Sequence, residues 1–260
     1  MSQSQRSVEQ PNKALNQEQV DQFRIQGYLA LGKVFEDELV AQLRGEYDRL
    51  FADARGEGTY RNLASPDVKD GAEPAQMLQI MQMCERSLLF RRLLFHERLL
   101  DVAEDLIGPN IQLFHDQALF KPAHHGGAVL WHQDNAYWKC APANLVSCWL
   151  TLDEVDVSNG AMHVIPGSHL RPVAHPPAPD GSVLLDIEQE VDTGAAVVIP
   201  LPAGGAMVHH CQTVHYTPPN HTDRQRRAFV IHFMPPGTWS AHRNEYIPVS
   251  FSNPILRMRV

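Results

Sequence analysis

From residue 111 onward, the chain is built from short β-prone segments that are separated by glycine and proline. Many short strands with turn signals between them are typical of an antiparallel sandwich or barrel. This pattern predicts a mainly β fold. The segments predicted to be strands are 111–121, 129–134, 145–152, 161–165, 183–187, 195–199, 205–211, 213–217 and 226–234.

The preceding part of the chain has helical patterns. Apolar residues three or four apart predict an amphipathic helix, capped by Asp37 and running to about Ala54, that braces a sheet. The polar residues 1–15 are predicted to be a disordered tail, followed by a single domain over 16–260. Other expectations are a helix capped by Asn16 and ended by Gly27, a strand over Tyr28–Leu31, helix or strand over Met77–Met83, one or two helices from Ser87 to Leu106, and a surface loop over 56–76 that serves as a lid.

Charge and composition narrow the classes of partner. A net charge of −8 gives no general basic field, so nucleic acid and anionic membrane surfaces are not expected partners. No apolar run is long enough to span a bilayer, and Met1–Lys13 lacks the apolar core of a signal peptide, so a cytoplasmic protein is expected. The four cysteines show no metal-binding or disulfide spacing and are predicted to be buried free thiols: Cys84, Cys140, Cys148 and Cys211.

His132 and Asp134 form the first candidate for chemistry. They lie two apart in a predicted strand, and side chains at i and i+2 leave the same face. One imidazole and one carboxylate supply two of the three ligands of a facial triad, the arrangement that holds non-haem Fe(II). The pair is a weak signal alone, because the chain has 14 histidines and a hydrogen-bonded structural pair is the commoner meaning.

The segment 204–220 offers the third ligand. It is predicted to be a strand followed by a turn, with His215 at the start of the turn and Arg226 in the next strand. His209 and His210 are adjacent in the first strand, so one is expected in the core and the other at the surface. Arg226 stands in a cluster with Arg224 and Arg227, of which at least one is expected to be simple surface.

Taken together, several motifs resemble the phytanoyl-CoA dioxygenase family of Fe(II)- and 2-oxoglutarate-dependent oxygenases, from about Val20 to Pro236. The resemblance implies a double-stranded β-helix, the cupin-like jelly roll, with N-terminal helices packed on its outside. The matching motifs are His115-Asp-Gln117-Ala-Leu-Phe-Lys121-Pro, Trp131-His132-Gln-Asp134, Ser147-Cys-Trp149, Asn159 through His169, and His215 followed by Arg226.

The resemblance also implies a role for individual residues. His132, Asp134 and His215 would bind iron, and Arg226 would pair with the distal carboxylate of 2-oxoglutarate, which a planar guanidinium suits. Thr217 would hydrogen-bond the same region. Gln117 and Trp149 would line the co-substrate pocket. Substrate-cavity candidates are Tyr137, Trp138, Met77 and Met81, although such residues, like Trp149, more often serve packing.

The implied reaction consumes 2-oxoglutarate and O₂, releases succinate and CO₂, and hydroxylates a C–H bond of a small organic molecule. A carboxylate at position 134 disfavours halogenation, whereas desaturation, epoxidation, ring closure and epimerisation remain open. Arg86, Arg91 and Arg92 are candidates for binding a CoA phosphate, but a free small molecule is preferred. The oligomeric state is not set by these patterns.

Two other functions fit parts of the sequence. The first is a non-catalytic jelly-roll protein for binding or sensing, which would need neither the triad nor Arg226. The second is a zinc hydrolase built on His124, His125 and His132. This second function is disfavoured because the adjacent pair lies in a glycine-rich loop and would need strained geometry to share one ion.

Overall fold

The computed structural model describes residues 12–64, 75–175 and 187–259. The helices are α1 (Gln17–Gln26), α2 (Asp37–Glu57), α3 (Met83–Arg86), α4 (Leu88–Leu93), α5 (Glu97–Ile107) and α6 (Asp134–Trp138), with 3-10 turns at Ser168–Leu170, Glu188–Glu190 and Thr193–Ala195. The strands are β1 (Tyr28–Lys33), β2 (Arg61–Asn62), β3 (Leu78–Met81), β4 (Ile111–Lys121), β5 (Val129–His132), β6 (Cys140–Ala141), β7 (Val146–Thr151), β8 (Met162–Val164), β9 (Val197–Ile199), β10 (Gly205–His210), β11 (His215–Thr217), β12 (Arg226–Met234), β13 (Trp239–Ser240), β14 (Glu245–Tyr246) and β15 (Ile255–Arg257).

Two antiparallel sheets form the body of the molecule. The larger has the order β1-β10-β7-β12-β4-β3-β2, with β15 also paired to β4, and the smaller has the order β5-β11-β8-β9. Trp149, Met207 and Val230 of the larger sheet share a buried apolar cluster with Met162 and Ile199 of the smaller one. The two sheets therefore face each other across a packed interior, which confirms the predicted jelly roll.

The helices cover the other face of the larger sheet. Side chains alternate along a strand, so Val146, Cys148 and Leu150 of β7 pack in one core cluster with Leu43 and Tyr47 of α2. The intervening residues of β7 point toward the smaller sheet. The expected packing of N-terminal helices outside the β-helix is confirmed, and the face of the larger sheet that remains for chemistry is the inner one.

Most predicted elements are present, with informative differences at their ends. Strands β4 and β12 have the predicted bounds, and α1 begins with a capping box between Asn16 and Gln19. Helix α2 is not capped by Asp37: Glu36 occupies that position without a side-chain hydrogen bond. The ambiguous stretch over 77–83 contains strand β3 and the start of α3. The central part of the predicted lid, 65–74, and most of the predicted strand 183–187 lie outside the described residues.

The end of the predicted tail is held in place. The Asp105 carboxylate accepts the backbone N–H groups of Lys13, Ala14 and Leu15 at 2.8–2.9 Å, and Leu15 is buried. Residues 12–15 therefore pack onto α5, because one carboxylate satisfies three consecutive donors. Residues 1–11 lie outside the described part of the chain. No helix within the described residues is both long and apolar enough to cross a membrane.

Asp116 makes stability depend on pH. Its Oδ1 accepts the Cys84 N–H at 3.0 Å while Oδ2 has no partner, and burial raises the pKa of the carboxyl to about 6. A pKa above the unfolded value means that the folded state binds more protons between about pH 4 and 6, so the free energy of unfolding falls as pH rises through that window, by about 3 kcal/mol. In an Asp116→Asn variant we expect this dependence to flatten in denaturant titrations at pH 4, 5, 6 and 7. An unchanged slope would contradict this assignment.

Candidate active site

His132 and His215 face each other across two neighbouring strands. They are direct partners in the pairing of β5 with β11, and their ring centroids lie 4.2 Å apart. His215 is the first residue of β11 rather than the start of a turn, because the turn is completed before it. The predicted convergence of these two histidines is thus a property of strand register.

Asp134 reaches the same point by a different local structure from the predicted one. The strand ends at His132, Gln133 is extended, and Asp134 begins α6. Its Oδ1 nevertheless lies 3.6 Å from His132 Nε2 and 3.8 Å from His215 Nε2. In the part of the chain that the structure describes, this is the only group of three His, Cys, Asp or Glu side chains placed to hold a metal ion.

Backbone carbonyls orient both imidazoles. His132 Nδ1 lies 2.7 Å from Leu130 O, and His215 Nδ1 lies 3.0 Å from Thr213 O. A carbonyl only accepts, so each Nδ1 donates and each Nε2 presents its lone pair toward the other ring. Burial, together with the neighbouring His132, lowers the pKa of His215 well below its usual value. Both features favour the neutral imidazole that metals bind.

Hydrogen bonds fix one oxygen of the Asp134 carboxylate, and the other oxygen faces the two imidazoles. Its Oδ2 accepts the Ser147 hydroxyl at 2.9 Å and His209 Nε2 at 3.2 Å, which leaves Oδ1 facing the imidazoles of the triad. Burial alone would raise the pKa of Asp134, but His215, His132 and His209 hold it well below its usual value. The carboxylate is therefore ionised, as a ligand to a cation must be.

His209 was not predicted to take part in the site. Of the adjacent histidines in β10, one was expected in the core and the other at the surface. His209 is buried against Asp134, whereas His210 is half-buried with its ring 5.3 Å from that of His169. The prediction of a surface histidine was wrong because the loop that carries His169 covers this end of β10.

A chain of hydrogen bonds leads from Asp134 into the larger sheet. Ser147 Oγ donates to Asp134, and it accepts from His232 Nδ1 at 2.8 Å. His232 Nε2 then accepts from the Gln117 amide at 3.0 Å, and Gln117 in turn accepts from Gln79. Each group donates in one direction only, which fixes the neutral tautomer of His232 and the rotamer of Ser147.

This chain predicts an effect of Ser147 on metal binding. In a Ser147→Ala variant, Asp134 Oδ2 loses a buried donor, and we expect Fe(II) affinity to fall about 10- to 100-fold, the range typical of groups that orient metal ligands. The measurement is anaerobic metal titration. Thr151→Val is the matched control, because Thr151 is buried on the same face of β7 but bonds Asp153 O instead. Equal loss in both variants would indicate a general effect on the fold.

Arg226 is a buried cation with open hydrogen-bonding capacity. Its Nη1 donates to Leu119 O at 3.0 Å, whereas Nε and Nη2 are buried without any acceptor. Burial lowers the pKa of Arg226 to about 10, so the guanidinium stays charged at neutral pH. The Thr217 hydroxyl is also buried without a partner. Unsatisfied buried donors of this kind are rare and indicate an absent acceptor.

The neighbours of Arg226 have other roles. Arg224 is exposed and pairs with Asp156 at 2.7 Å, as expected of a surface residue. Arg227 is paired with both Asp48 and Asp153. Lys121 is buried opposite Arg226 in the strand register and donates to the carbonyls of Thr217 and Pro218. Lys121 therefore holds the end of β11 next to Arg226, a role that its position in the sequence did not reveal.

One cavity of about 630 Å³ contains these groups. It is lined by the triad, by Arg226 and by the other predicted pocket residues, Gln117, Trp149, Thr217, Tyr137, Trp138, Met77 and Met81. Gln117 is already occupied by Gln79 and His232, so its amide has less capacity for a ligand than was expected. The histidines of the alternative zinc site, His124 and His125, do not line the cavity.

Comparisons with known proteins agree with this geometry. Residues 23–228 match the family model described as phytanoyl-CoA dioxygenase (PhyH). The chain is 26% identical over 232 residues to a probable alpha-ketoglutarate-dependent hypophosphite dioxygenase of Stutzerimonas stutzeri, covering 85% of this chain and 79% of that protein. The family assignment rests on the span of the family model, which covers most of the chain.

Solved structures show the same fold. EvdO2 from Micromonospora carbonacea var. aurantiaca, complexed with 2-oxoglutarate, superposes with a TM-score of 0.67 at 29% identity, over 93% of this chain and 95% of that one. The epimerase SnoN, in complex with Fe3+, alpha ketoglutarate and nogalamycin RO, gives a TM-score of 0.75 at 23% identity, over 92% and 98% of the two chains. By sequence span, fold and the arrangement of its buried side chains, the chain belongs to the phytanoyl-CoA dioxygenase family.

Proposed function

We propose that this protein is an Fe(II)- and 2-oxoglutarate-dependent dioxygenase that hydroxylates a C–H bond of a small organic molecule. The observation that carries the proposal is the presence in one cavity of a His-Asp-His cluster and a buried guanidinium with two unsatisfied nitrogens. The first is a ligand set for a divalent metal, and the second is a donor set for a carboxylate.

The residues fit both groups. His132 Nε2, His215 Nε2 and Asp134 Oδ1 would hold the metal as two neutral nitrogens and one anionic oxygen, the ligand set of non-haem Fe(II) oxygenases. Arg226 Nε and Nη2 and the Thr217 hydroxyl would receive the distal carboxylate of 2-oxoglutarate, which would satisfy every donor that is orphaned at that end of the cavity. A carboxylate there would also remove the cost of a buried, partly unpaired cation.

When bound, Fe(II), 2-oxoglutarate and O₂ would supply the oxidising power, with release of succinate and CO₂. The protein's own residues bind, orient and shield. The hydrogen bonds that His132 and His215 donate to the carbonyls of Leu130 and Thr213 fix the imidazoles, and Ser147 with His209 keeps Asp134 Oδ1 turned inward. Phe114, Tyr137 and Trp138 line the cavity with aromatic surface that excludes water from the reacting end.

Two features favour a free small molecule over a CoA thioester. The arginines considered for a CoA phosphate, Arg86, Arg91 and Arg92, do not line the cavity. Arg91 instead stacks on Phe251 with its guanidinium carbon 3.9 Å from the ring centroid. A cavity of about 630 Å³ lies within the range typical of small-molecule sites.

The proposed function is tested by measuring 2-oxoglutarate turnover and the mass of the products. The protein is supplied with Fe(II), 2-oxoglutarate and ¹⁸O₂ against a panel of small organic compounds, and succinate formation is measured together with the mass of each product. We expect some compounds to accelerate succinate formation and to gain one ¹⁸O atom. A product of unchanged mass would replace hydroxylation by epimerisation, and a product two hydrogens lighter would replace it by desaturation or ring closure. Absence of any 2-oxoglutarate turnover, with iron bound, would favour a binding protein.

A further inference from the structure

The same cavity is also lined by exposed basic side chains that the proposed cofactor site does not use. Besides the triad and Arg226, the described lining contains apolar and aromatic side chains, several polar ones and two arginines, Arg61 and Arg243. Both arginines are exposed, whereas Arg226 at the inner end is fully buried. We propose that the substrate is a small organic carboxylate, with an apolar or aromatic body against the apolar lining of the cavity and its carboxylate bound by Arg61 and Arg243. This inference rests on the proposed function and adds a substrate class to it.

Within the described residues, the two arginines have no acidic partner. Neither guanidinium makes a hydrogen bond or ion pair with any residue in 12–64, 75–175 or 187–259, although elsewhere in the fold Arg224, Arg227 and Arg257 are all paired with carboxylates. Unpaired arginines also occur on ordinary protein surfaces. What distinguishes these two is that they line the cavity that contains the triad, in a chain with 30 acidic and 22 basic residues.

The charged groups at the inner end of the cavity would balance one another and would not neutralise Arg61 and Arg243. Asp134 is the only carboxylate among the described lining residues, and Ser147, His209 and the two imidazoles already engage it. With Fe(II) and 2-oxoglutarate bound, the charges of the metal, Asp134, the co-substrate and Arg226 cancel. Among the described lining residues, Arg61 and Arg243 would then be the unpaired cations, and they would attract an anionic group of the substrate.

Arg243 is held in position by the element that carries Asp134. It lies in the turn between β13 and β14, and β13 pairs with β6, directly after α6. Ser240 Oγ donates to Trp138 O at 3.2 Å, and the Ala241 N–H donates to Lys139 O at 2.9 Å. The charge of Arg243 also contributes, after burial, to the low pKa of His115, which lines the same cavity. These hydrogen bonds therefore fix the turn that carries Arg243 relative to the end of α6, the helix that carries Asp134.

Aromatic and thioether side chains of the same cavity would contact the body of the substrate. Tyr137 and Trp138 follow Asp134 in α6, and the Trp138 ring lies 4.9 Å from that of Phe114. Met77 and Met81 line the cavity as well. Aromatic rings and thioethers accommodate flat or irregular apolar bodies. An anion with a hydrocarbon portion fits this combination, whereas a cationic amine would meet two like charges.

The test uses matched pairs of ligands on the loaded protein. Aryl- and alkyl-carboxylates of six to twelve carbons and their primary amides are titrated by calorimetry into anaerobic protein containing Fe(II) and 2-oxoglutarate. We expect at least one carboxylate to bind about tenfold more tightly than its amide, and this preference to weaken at high salt. Arg243→Gln and Arg61→Gln should each reduce the preference several-fold, whereas Arg92→Gln, an exposed arginine outside the cavity, should leave it unchanged.

Each outcome decides one proposal. If no carboxylate of the panel binds more tightly than its amide, or if Arg92→Gln changes the preference as much as Arg243→Gln, the substrate inference is overturned. The proposed function is scored separately, by formation of the Fe(II)–2-oxoglutarate complex before any carboxylate is added. A protein that forms the complex but shows no preference keeps its function and loses the anionic substrate.

Discussion

Replacing Asp134 with alanine is expected to reduce both Fe(II) affinity and 2-oxoglutarate turnover by more than about 100-fold, beyond the range typical of groups that only orient ligands. Asp134 would supply the one anionic ligand of the cluster, and its Oδ1 lies within 4 Å of both imidazole Nε2 atoms. Without it, two neutral imidazoles remain, which bind a hard divalent cation weakly. The measurement is anaerobic Fe(II) titration with a parallel succinate assay.

The matched control is Asp156→Ala, which removes an exposed carboxylate that pairs with Arg224 at the surface. This variant should bind Fe(II) and consume 2-oxoglutarate like the wild-type protein. An Asp134→Ala variant that retained Fe(II) affinity within a few-fold of wild type would remove Asp134 from the site and would contradict the triad.

Arg226→Met is expected to have two effects of opposite sign. Without ligand, the free energy of unfolding should rise by about 1 to 3 kcal/mol, because a buried guanidinium with two unsatisfied nitrogens is replaced by an apolar side chain of similar length. With metal present, 2-oxoglutarate should no longer stabilise the protein. A ligand at one hundred times its dissociation constant stabilises the wild-type fold by about 3 kcal/mol, and the variant should lose most of that gain.

The measurement is thermal unfolding of both proteins with metal, with and without 2-oxoglutarate. Arg224→Met provides the control, since Arg224 is exposed and lies outside the cavity. It should change neither the stability of the free protein nor the response to 2-oxoglutarate. A variant at position 226 that was destabilised without ligand and still responded fully to 2-oxoglutarate would make Arg226 a structural residue.

Local patterns were sufficient to predict much of the architecture. The bounds of β4 and β12 follow from uninterrupted β-prone sequence, and α1 begins and ends at the residues that its capping pattern indicates. The ends of α2 were harder, since the helix continues past Ala54 to Glu57 and stops at Gly58, which adopts a positive φ of 68°. Residues 55–57 are exposed, so the end of the helix is set by the C-cap at Gly58, whose N–H donates to Ala54 O, rather than by apolar periodicity.

The clustering of the triad was predicted, but for a reason that was only partly right. His132 and Asp134 were expected to share one face of a strand, whereas Asp134 lies in the first turn of α6. Asp134 still lies beside the two histidines because Ser147 and His209 of the larger sheet hydrogen-bond its carboxylate. No pattern within residues 129–138 contains those partners.

His209, His232 and Ser147 were missed because the pairing of β10, β7 and β12 brings them together, and Asp134 of α6 then hydrogen-bonds Ser147 and His209. His232 is 98 positions from Asp134 in the chain and reaches it through Ser147 on the neighbouring strand. One signal was available: alternate residues of β12 share a face, so His232 points to the same side as Arg226. Applying that period to β7 would also have placed Ser147 beside Trp149.

The decisive measurement is optical and needs no substrate. Metal-free protein is given Fe(II) and then 2-oxoglutarate under anaerobic conditions, and the visible spectrum is recorded for the weak charge-transfer band of a chelated Fe(II)–2-oxoglutarate complex. We expect the band to appear in the wild-type protein, to be absent in Asp134→Ala, and to require far more 2-oxoglutarate in Arg226→Met. Wild-type protein that binds Fe(II) but never develops the band would contradict the proposed dioxygenase.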